Sequence, residues 1–297
     1  MRTLGILADR AKKEEINLYT IGEWLDGQWE KTVVHPANDC NDLYSVSKNF
    51  TATAVGILCD RGQLSLEQSV YSLFHQEYPH CCGEKWKTVT VAHVLEQTVG
   101  IGSGFLDIDV EDIFQYGTRD FLEMALSAPF VYRPGEKMVY SDSNYYLASR
   151  IAAQAAGERL QDFLARELFL PLGFQGWAWA VCPHGHAMGA TGLFIRVEDM
   201  LRFGQLYLQK GIYQGNRLLS EQWVQIATQS RVLHTGTEHY GLSFWRTGDA
   251  AAFHCGGMNG QIIYISPRAN RVVAWQAHDP QGESIRLLNW LYELDET

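Results

Sequence analysis

The chain is poor in positive charge: 24 Lys and Arg stand against 34 Asp and Glu, for a net charge of −10. Such a surface repels phosphate backbones and anionic bilayers, so neither nucleic acid nor a membrane is expected as a partner. There is no block of five or six like charges that would mark an interaction tail. Long apolar runs are missing too. Residues 169–195 contain no Asp, Glu, Lys or Arg, but Pro171, Pro183, five glycines, His184 and His186 interrupt them, which fits a buried, loop-rich segment better than a span. The N-terminal stretch Leu4 to Ala8 is too short and too soon followed by charges to be an export signal, so a cytoplasmic location is expected. The six cysteines show no framework spacing and read as free thiols. "HCC" at 80–82 and "CPHGH" at 182–186 offer soft ligands but lack a second ligand pair at zinc-site spacing. No metal and no cofactor are expected.

What is present is ordinary for a globular protein: 297 residues, 46% hydrophobic and 12% aromatic, enough for a sizeable core. Residues 3–15 read as an amphipathic helix. "INLYTIGEWL" and "QWEKTVVH" read as strands, and Asp26-Gly27 between them is a strong hairpin signal. From about 45 to 230 the pattern is mostly helical, with helices closed by Gly or Pro-x-Gly. After 240 "YGLSFWR", "AAFHC", "GQIIYISP" and "NRVVAWQAH" alternate as an antiparallel meander, and a helix over roughly 281–294 ends the chain. The expected fold is α/β of the α+β type: one antiparallel sheet built from both chain ends, flanked by helices, with an inserted helical block. The sheet subdomain is expected at approximately 1–44 plus 235–297, and the helical one at approximately 45–234.

Three elements carry possible chemistry. In "YSVSKNF", Ser45 and Lys48 lie three apart at the head of a helix, hence on one face. A serine needs a base, and the helix end offers a positive dipole and unpaired N–H groups that help keep a lysine neutral. Only Lys48 of eight lysines has a serine three residues before it. The pair alone is a weak signal, for which a solvated helix end is the plainer reading. In "PGEKMVYSDSNYYLASRI", Tyr140 precedes Asp142 by two; a tyrosine near a lysine relays protons, and the plainer reading is a buried aromatic at a helix start. In "HCGGMNG", His254 ends a strand-like run, and Gly256 and Gly257 allow close backbone approach and an oxyanion N–H.

Taken in order, Ser45-x-x-Lys48, Tyr140-x-Asp142 and His254-x-Gly256 resemble the serine β-lactamase and penicillin-binding protein superfamily. The branch is the class C-like one, which includes esterases, D-aminopeptidases and D-alanyl-D-alanine carboxypeptidases. The flanks "RPGEKMVYSDSNYYLASRI", "LFLPLGF", "ATGLFIRVEDMLRFGQLYLQKGIYQGNRLLS" and "VTVAHVLEQTVGIGSG" extend the resemblance over nearly the whole chain. It implies Ser45 as acylated nucleophile, Lys48 and Tyr140 as the base pair and His254 at the strand edge. It also implies Gly257 as second oxyanion donor, with Gly256 and Asp142 at the substrate.

Departures from the family shape the expectation. Asp142 replaces the usual Asn; an ionised Asp only accepts hydrogen bonds, and pairing with Lys48 would favour the ammonium. His254 replaces the Lys whose charge holds a substrate carboxylate. Gln97 and Val99 replace His and Ser in a helix-end motif of structural role. The reading is a serine hydrolase acting on small-molecule esters, amides or peptides. A β-lactamase or D-alanyl-D-alanine carboxypeptidase is the alternative, and a non-catalytic ligand-binding member of the same fold a further one. Loops near 75–88, 103–118 and 178–190 are expected to shape the cleft.

Overall fold

The structure is a computed structural model that describes residues 2–296 apart from 103–105, 108, 113 and 114. Part of the 103–118 loop expected to shape the cleft therefore lies outside the described residues. In chain order the elements are α1 (Leu4–Lys13), β1 (Leu18–Leu25), β2 (Gln28–Val33), β3 (Asn41–Asp42), a 3-10 turn (Tyr44–Val46), α2 (Ser47–Asp60), α3 (Val70–Phe74), α4 (Val91–Leu95), α5 (Phe121–Ser127), α6 (Asp142–Ala156), α7 (Leu160–Leu164) and α8 (Leu170–Leu172). Then come β4 (Ala178–Trp179), β5 (Leu193–Ile195), α9 (Val197–Leu208), β6 (Ile212–Tyr213), β7 (Asn216–Arg217), α10 (Glu221–Thr228), β8 (Val232–Thr235), β9 (Glu238–Tyr240), β10 (Trp245–Thr247), β11 (Phe253–Gly256), β12 (Ile262–Ser266), β13 (Arg271–Ala277) and α11 (Ile285–Glu296). They form two compact units: Met1–Val46 with Leu168–Ala178 and Leu193–Thr297, and Ser47–Glu167 with Trp179–Gly192.

The first unit is built on an eight-stranded sheet of order β2-β1-β13-β12-β11-β10-β9-β8. The pairing of β1 with β13 joins the N-terminal hairpin to the C-terminal meander. Asp26 (φ +49°) and Gly27 (φ +84°) are both left-handed, the conformation a type I′ hairpin turn demands. Every residue of β12 and β13 is buried, so these strands are covered on both faces. α9 packs on β1, β12 and β13. Leu4 and Leu7 of α1, Leu288 and Leu291 of α11, and Ile21, Tyr264 and Trp275 of the sheet form one core cluster. Each such fully buried aliphatic side chain contributes ~1.5–3 kcal/mol.

Two expectations shift. The meander begins at Val232 rather than after 240. β8 is mostly exposed, so it carries no buried alternation to read. The helical block also ends sooner than 234, because α9 and α10 belong to the sheet unit.

The second unit is helical. In α2 every residue from Ser47 to Leu58 is buried, as expected of a helix apolar or small on all sides. Its hydroxyls are satisfied within the unit: Thr53 Oγ1 donates to Asn49 O at 2.7 Å and Thr51 Oγ1 to Gly189 O at 2.8 Å. α6 packs against α2, α4, α5 and α7 and stops at Gly157, whose φ of +71° is the left-handed cap such a stop requires. Among the described residues, no helix is long and apolar enough to cross a membrane.

Candidate active site

In the second unit, Lys48 is in the first turn of α2 and Asp142 begins α6. Packing of these two helices brings their side chains together in a buried space, 1% exposed for Lys48 and 7% for Asp142. Lys48 Nζ lies 2.6 Å from Asp142 Oδ1 and donates to the Ala190 carbonyl at 3.0 Å. It also sits 4.9 Å from the centre of the Tyr140 ring. Burial by itself would lower the Lys48 pKa. Tyr140 and Asp142 more than offset that, and the ammonium is held above its ordinary range. The pairing anticipated from Asp142 is thus present, and it works against the neutral lysine that the helix dipole was expected to favour.

Asp107 and Asp109 extend this cluster. With Asp142 they place three carboxylate oxygens within 4.8 Å of one another, and Lys48 is the cation among them. Burial first, then the Asp142 and Asp109 carboxylates, push the Asp107 pKa up to about 6, against a lowering by Lys48. Among the described residues no such cluster of ligand atoms forms at "HCC" or "CPHGH". Cys182 is instead buried, with its Sγ accepting from Tyr146 Oη at 3.4 Å.

Gln97 fixes the segment that carries Tyr140. Its Oε1 accepts from Ser141 N at 3.0 Å and from Asn144 Nδ2 at 2.8 Å, and its carbonyl accepts from Val139 N at 2.9 Å. Gln97 adopts φ +63°, which lets backbone and side chain both reach that segment. Reading the sequence found Gln97 only as a departure. Its backbone carbonyl holds the residue before Tyr140 and its side chain the residues after it.

In the first unit, Ser45 is half-buried in the 3-10 turn that ends immediately before α2. Tyr44 N donates to Asp42 Oδ1 at 2.8 Å, and Val46 N to Leu43 O at 3.1 Å. Tyr44 takes φ +48°, unusual for a bulky residue and worth ~1–3 kcal/mol of strain that the turn sustains beside the serine.

β11 supplies the strand edge, with a different division of labour from the one expected. Gly257 N donates to Gln261 O at 2.8 Å, and Gly260 N to Gly257 O at 3.0 Å, closing the β11–β12 hairpin. The Gly257 amide therefore points at β12. Strand alternation turns the Gly256 amide to the opposite edge, two residues beyond the Trp245↔His254 pair with β10. Gly257 is needed for a steric reason. A Cβ there would lie 2.5 Å from both Leu43 O and Gln261 Oε1, so this end of the hairpin presses on the segment leading into Ser45.

His254 is also recast. It is 7% exposed, and its Nδ1 shares a 2.9 Å hydrogen bond with Tyr292 Oη of α11. Burial lowers its pKa to about 3, so the ring is neutral at physiological pH. It fastens β11 to α11 and brings no positive charge to the strand edge.

Comparison with known proteins agrees with this architecture. The Beta-lactamase family model matches residues 24–296. The 6-aminohexanoate-dimer hydrolase of Paenarthrobacter ureafaciens is 25% identical over 262 residues, 80% of this chain and 65% of that protein. Penicillin-binding protein 4* of Bacillus subtilis (strain 168) is 30% identical over 155 residues, 50% of this chain and 32% of its own length. The chain thus spans less than two thirds of either relative. Among solved structures, a penicillin-binding protein from Bacillus halodurans superposes with a TM-score of 0.77 at 17% identity, covering 97% of this chain and 99% of its own. A class C beta-lactamase superposes with a TM-score of 0.74 at 18% identity, covering 98% and 96%. These two likenesses show the fold, and the family match spans nearly the whole chain: this protein belongs to the Beta-lactamase family.

Proposed function

We propose that the chain is a serine hydrolase working through an acyl-enzyme on Ser45, with small esters or amides that lack an obligatory carboxylate as substrates. The carrying observation is the buried ammonium of Lys48 set against Tyr140 and Asp142, in a chain whose Ser45 precedes that lysine by three residues. In this reading Ser45 Oγ attacks the carbonyl carbon, and its proton passes to the Tyr140–Lys48 pair. The resting lysine is charged, and its ammonium stabilises Tyr140 as the phenolate that accepts the Ser45 proton; once the proton has arrived, Tyr140 is a neutral hydroxyl beside Lys48. The carbonyl oxygen, now an oxyanion, is held by the amides of Ser45 and Gly256. Collapse of the intermediate expels the alcohol or amine, which takes the proton from Tyr140. Water then adds to the acyl carbon by the same route, and Ser45 is regenerated.

The neutral His254 supports the substrate preference, because no fixed charge on β11 is available to anchor a carboxylate. The named activity of the 25% identical relative, hydrolysis of a 6-aminohexanoate dimer, supports including amides beside esters. Mass spectrometry after fluorophosphonate treatment tests the nucleophile: the wild type should gain one adduct on Ser45 and Ser45→Ala none. An adduct elsewhere, or no adduct at all, overturns the assignment. Turnover of short-chain p-nitrophenyl esters with a chromogenic cephalosporin left intact is the expected specificity; the reverse favours a β-lactamase.

A further inference from the structure

Away from Lys48, the second unit has a cavity of about 380 Å³ lined by Arg150, Gln154, Glu158, Arg159 and His186, among others. Arg150 is eight residues beyond Asp142 on α6, about 12 Å along the helix axis. Its charges are unbalanced. Among the described residues neither Arg150 nor Arg159 has an ion-pair partner, while Glu158 on the rim is taken by Arg166. Arg150 Nη1 reaches only Tyr146 Oη, at 3.4 Å. Arg150 Nε and His186 Nδ1 are buried and have no hydrogen-bond partner. Buried polar atoms in native proteins are nearly always satisfied, so two orphans on residues that line one cavity need an explanation.

The loop that carries His186 is firmly built. Cys182 N donates to His186 O at 2.8 Å, and Gly185 N to Cys182 O at 2.8 Å. Gln161 braces it from α7: Nε2 donates to Gly185 O at 2.9 Å, and Oε1 accepts from Ala187 N at 3.2 Å. Burial, Arg150, Arg159 and His184 together lower the His186 pKa to about 4. Asp120 opposes this, but its carboxylate is committed to Tyr78 Oη and to the first turn of α5. A pocket with two unpaired guanidinium groups and a free imidazole nitrogen, on a protein of net charge −10, is a local inversion of sign. Guanidinium groups match planar and tetrahedral oxyanions through paired N–H donors.

We propose that the cavity between Arg150, Arg159 and His186 binds a small oxyanion, with a phosphate-type dianion preferred over a monocarboxylate. The dianion matches the two arginines in charge, and its oxygens accept from their guanidinium groups at the cavity wall. The "CPHGH" sequence then serves as the loop that presents a donor. Binding is read without turnover, so the proposal stands or falls separately from the catalytic reading.

The test is calorimetric titration of the full chain with inorganic phosphate and, in a second arm, with acetate, both at fixed ionic strength. A saturable 1:1 isotherm with phosphate is expected, weaker by at least about tenfold with acetate and in Arg150→Gln and Arg159→Gln. The His186 ring signal in NMR should titrate at higher pH with phosphate bound, since an adjacent anion favours the imidazolium. Circular dichroism of the variants without phosphate establishes that they fold. No saturable phosphate binding, or binding unchanged in folded Arg150→Gln and Arg159→Gln, overturns the proposal. Acetate binding tighter than phosphate assigns the pocket to carboxylates and overturns the preference.

Discussion

Two cationic sites in the same unit, Lys48 and the Arg150–Arg159–His186 pocket, follow opposite rules. Lys48 is almost fully buried, and its surroundings answer its charge: a carboxylate, a carbonyl and an aromatic face all converge on it. The Arg150–Arg159–His186 pocket is more open, and among the described residues neither arginine has a carboxylate ion-pair partner, the lining Glu158 being paired with Arg166. A buried charge that is neutralised internally belongs to machinery that must be assembled before any ligand arrives. An unneutralised one marks a place where neutralisation is left to a ligand. The contrast is thermodynamic: removing one partner of a buried pair strands the other, whereas removing an unpaired charge strands nothing.

The largest effect should come from Lys48→Met. It leaves Asp142 buried without its cation, so urea denaturation should show a loss of ~3–5 kcal/mol, and ester turnover should fall by about a thousandfold or more. A stable, active Lys48→Met protein would break the comparison at its stronger side.

His254 offers an intermediate case, a buried neutral base in the first unit. Its folded pKa, about 3, lies below the ordinary 6.5, so the unfolded chain binds the extra proton between these values. Stability from this group is therefore present above pH 6.5 and lost as pH falls toward 3. The slope approaches ~1.4 kcal/mol per pH unit for one proton. In His254→Phe the stability curve should be flatter over that window, by up to one proton in a denaturation series; an unchanged slope would contradict the burial argument.

Asp142→Asn probes the balanced cluster more gently. Without the carboxylate, the Lys48 pKa should fall, and the alkaline limb of the ester rate profile, where the Lys48 ammonium is lost, should move to lower pH. The sign is testable in stability as well. The folded Lys48 pKa lies above the ordinary 10.5, so the pair stabilises the fold below that value and the contribution disappears as pH rises through the folded pKa. This alkaline loss should be smaller in Asp142→Asn. The variant should also change the ratio of amide to ester turnover; equal effects on both substrates would count against contact of this side chain with the acyl amide.

Arg150→Gln should have the smallest effect: within about 0.5 kcal/mol of the wild type in phosphate-free buffer, with ester turnover unchanged. A loss comparable to that of Lys48→Met would mean that Arg150 is structurally paired after all.

Much of the fold was legible because it rests on local rules. Asp26-Gly27 dictated a hairpin turn, the alternation from "AAFHC" to "NRVVAWQAH" dictated strands, and the stretch after "YSVSKNF" read as a helix. The exposed edge strand β8 left no such trace. In the candidate site, Ser45, Lys48, Tyr140 and Asp142 stood out by spacing. The Ala190 carbonyl did not, since every residue has one and only its placement makes it a ligand for Lys48. Asp107 was invisible for a similar reason: its altered acidity comes from neighbours distant in the chain.

The sequence by itself determined which reactive groups this protein possesses, their order along the chain, and the two-residue and 3.6-residue periodicities that make its strands and helices. These follow from covalent order and backbone sterics. Tertiary structure alone decided the charge on Lys48, the turning of His254 toward Tyr292, the commitment of the Gly257 amide to Gln261, and the orphaned nitrogen of Arg150. Each depends on burial and on partners from remote segments, and the low dielectric of the interior makes those partners decisive.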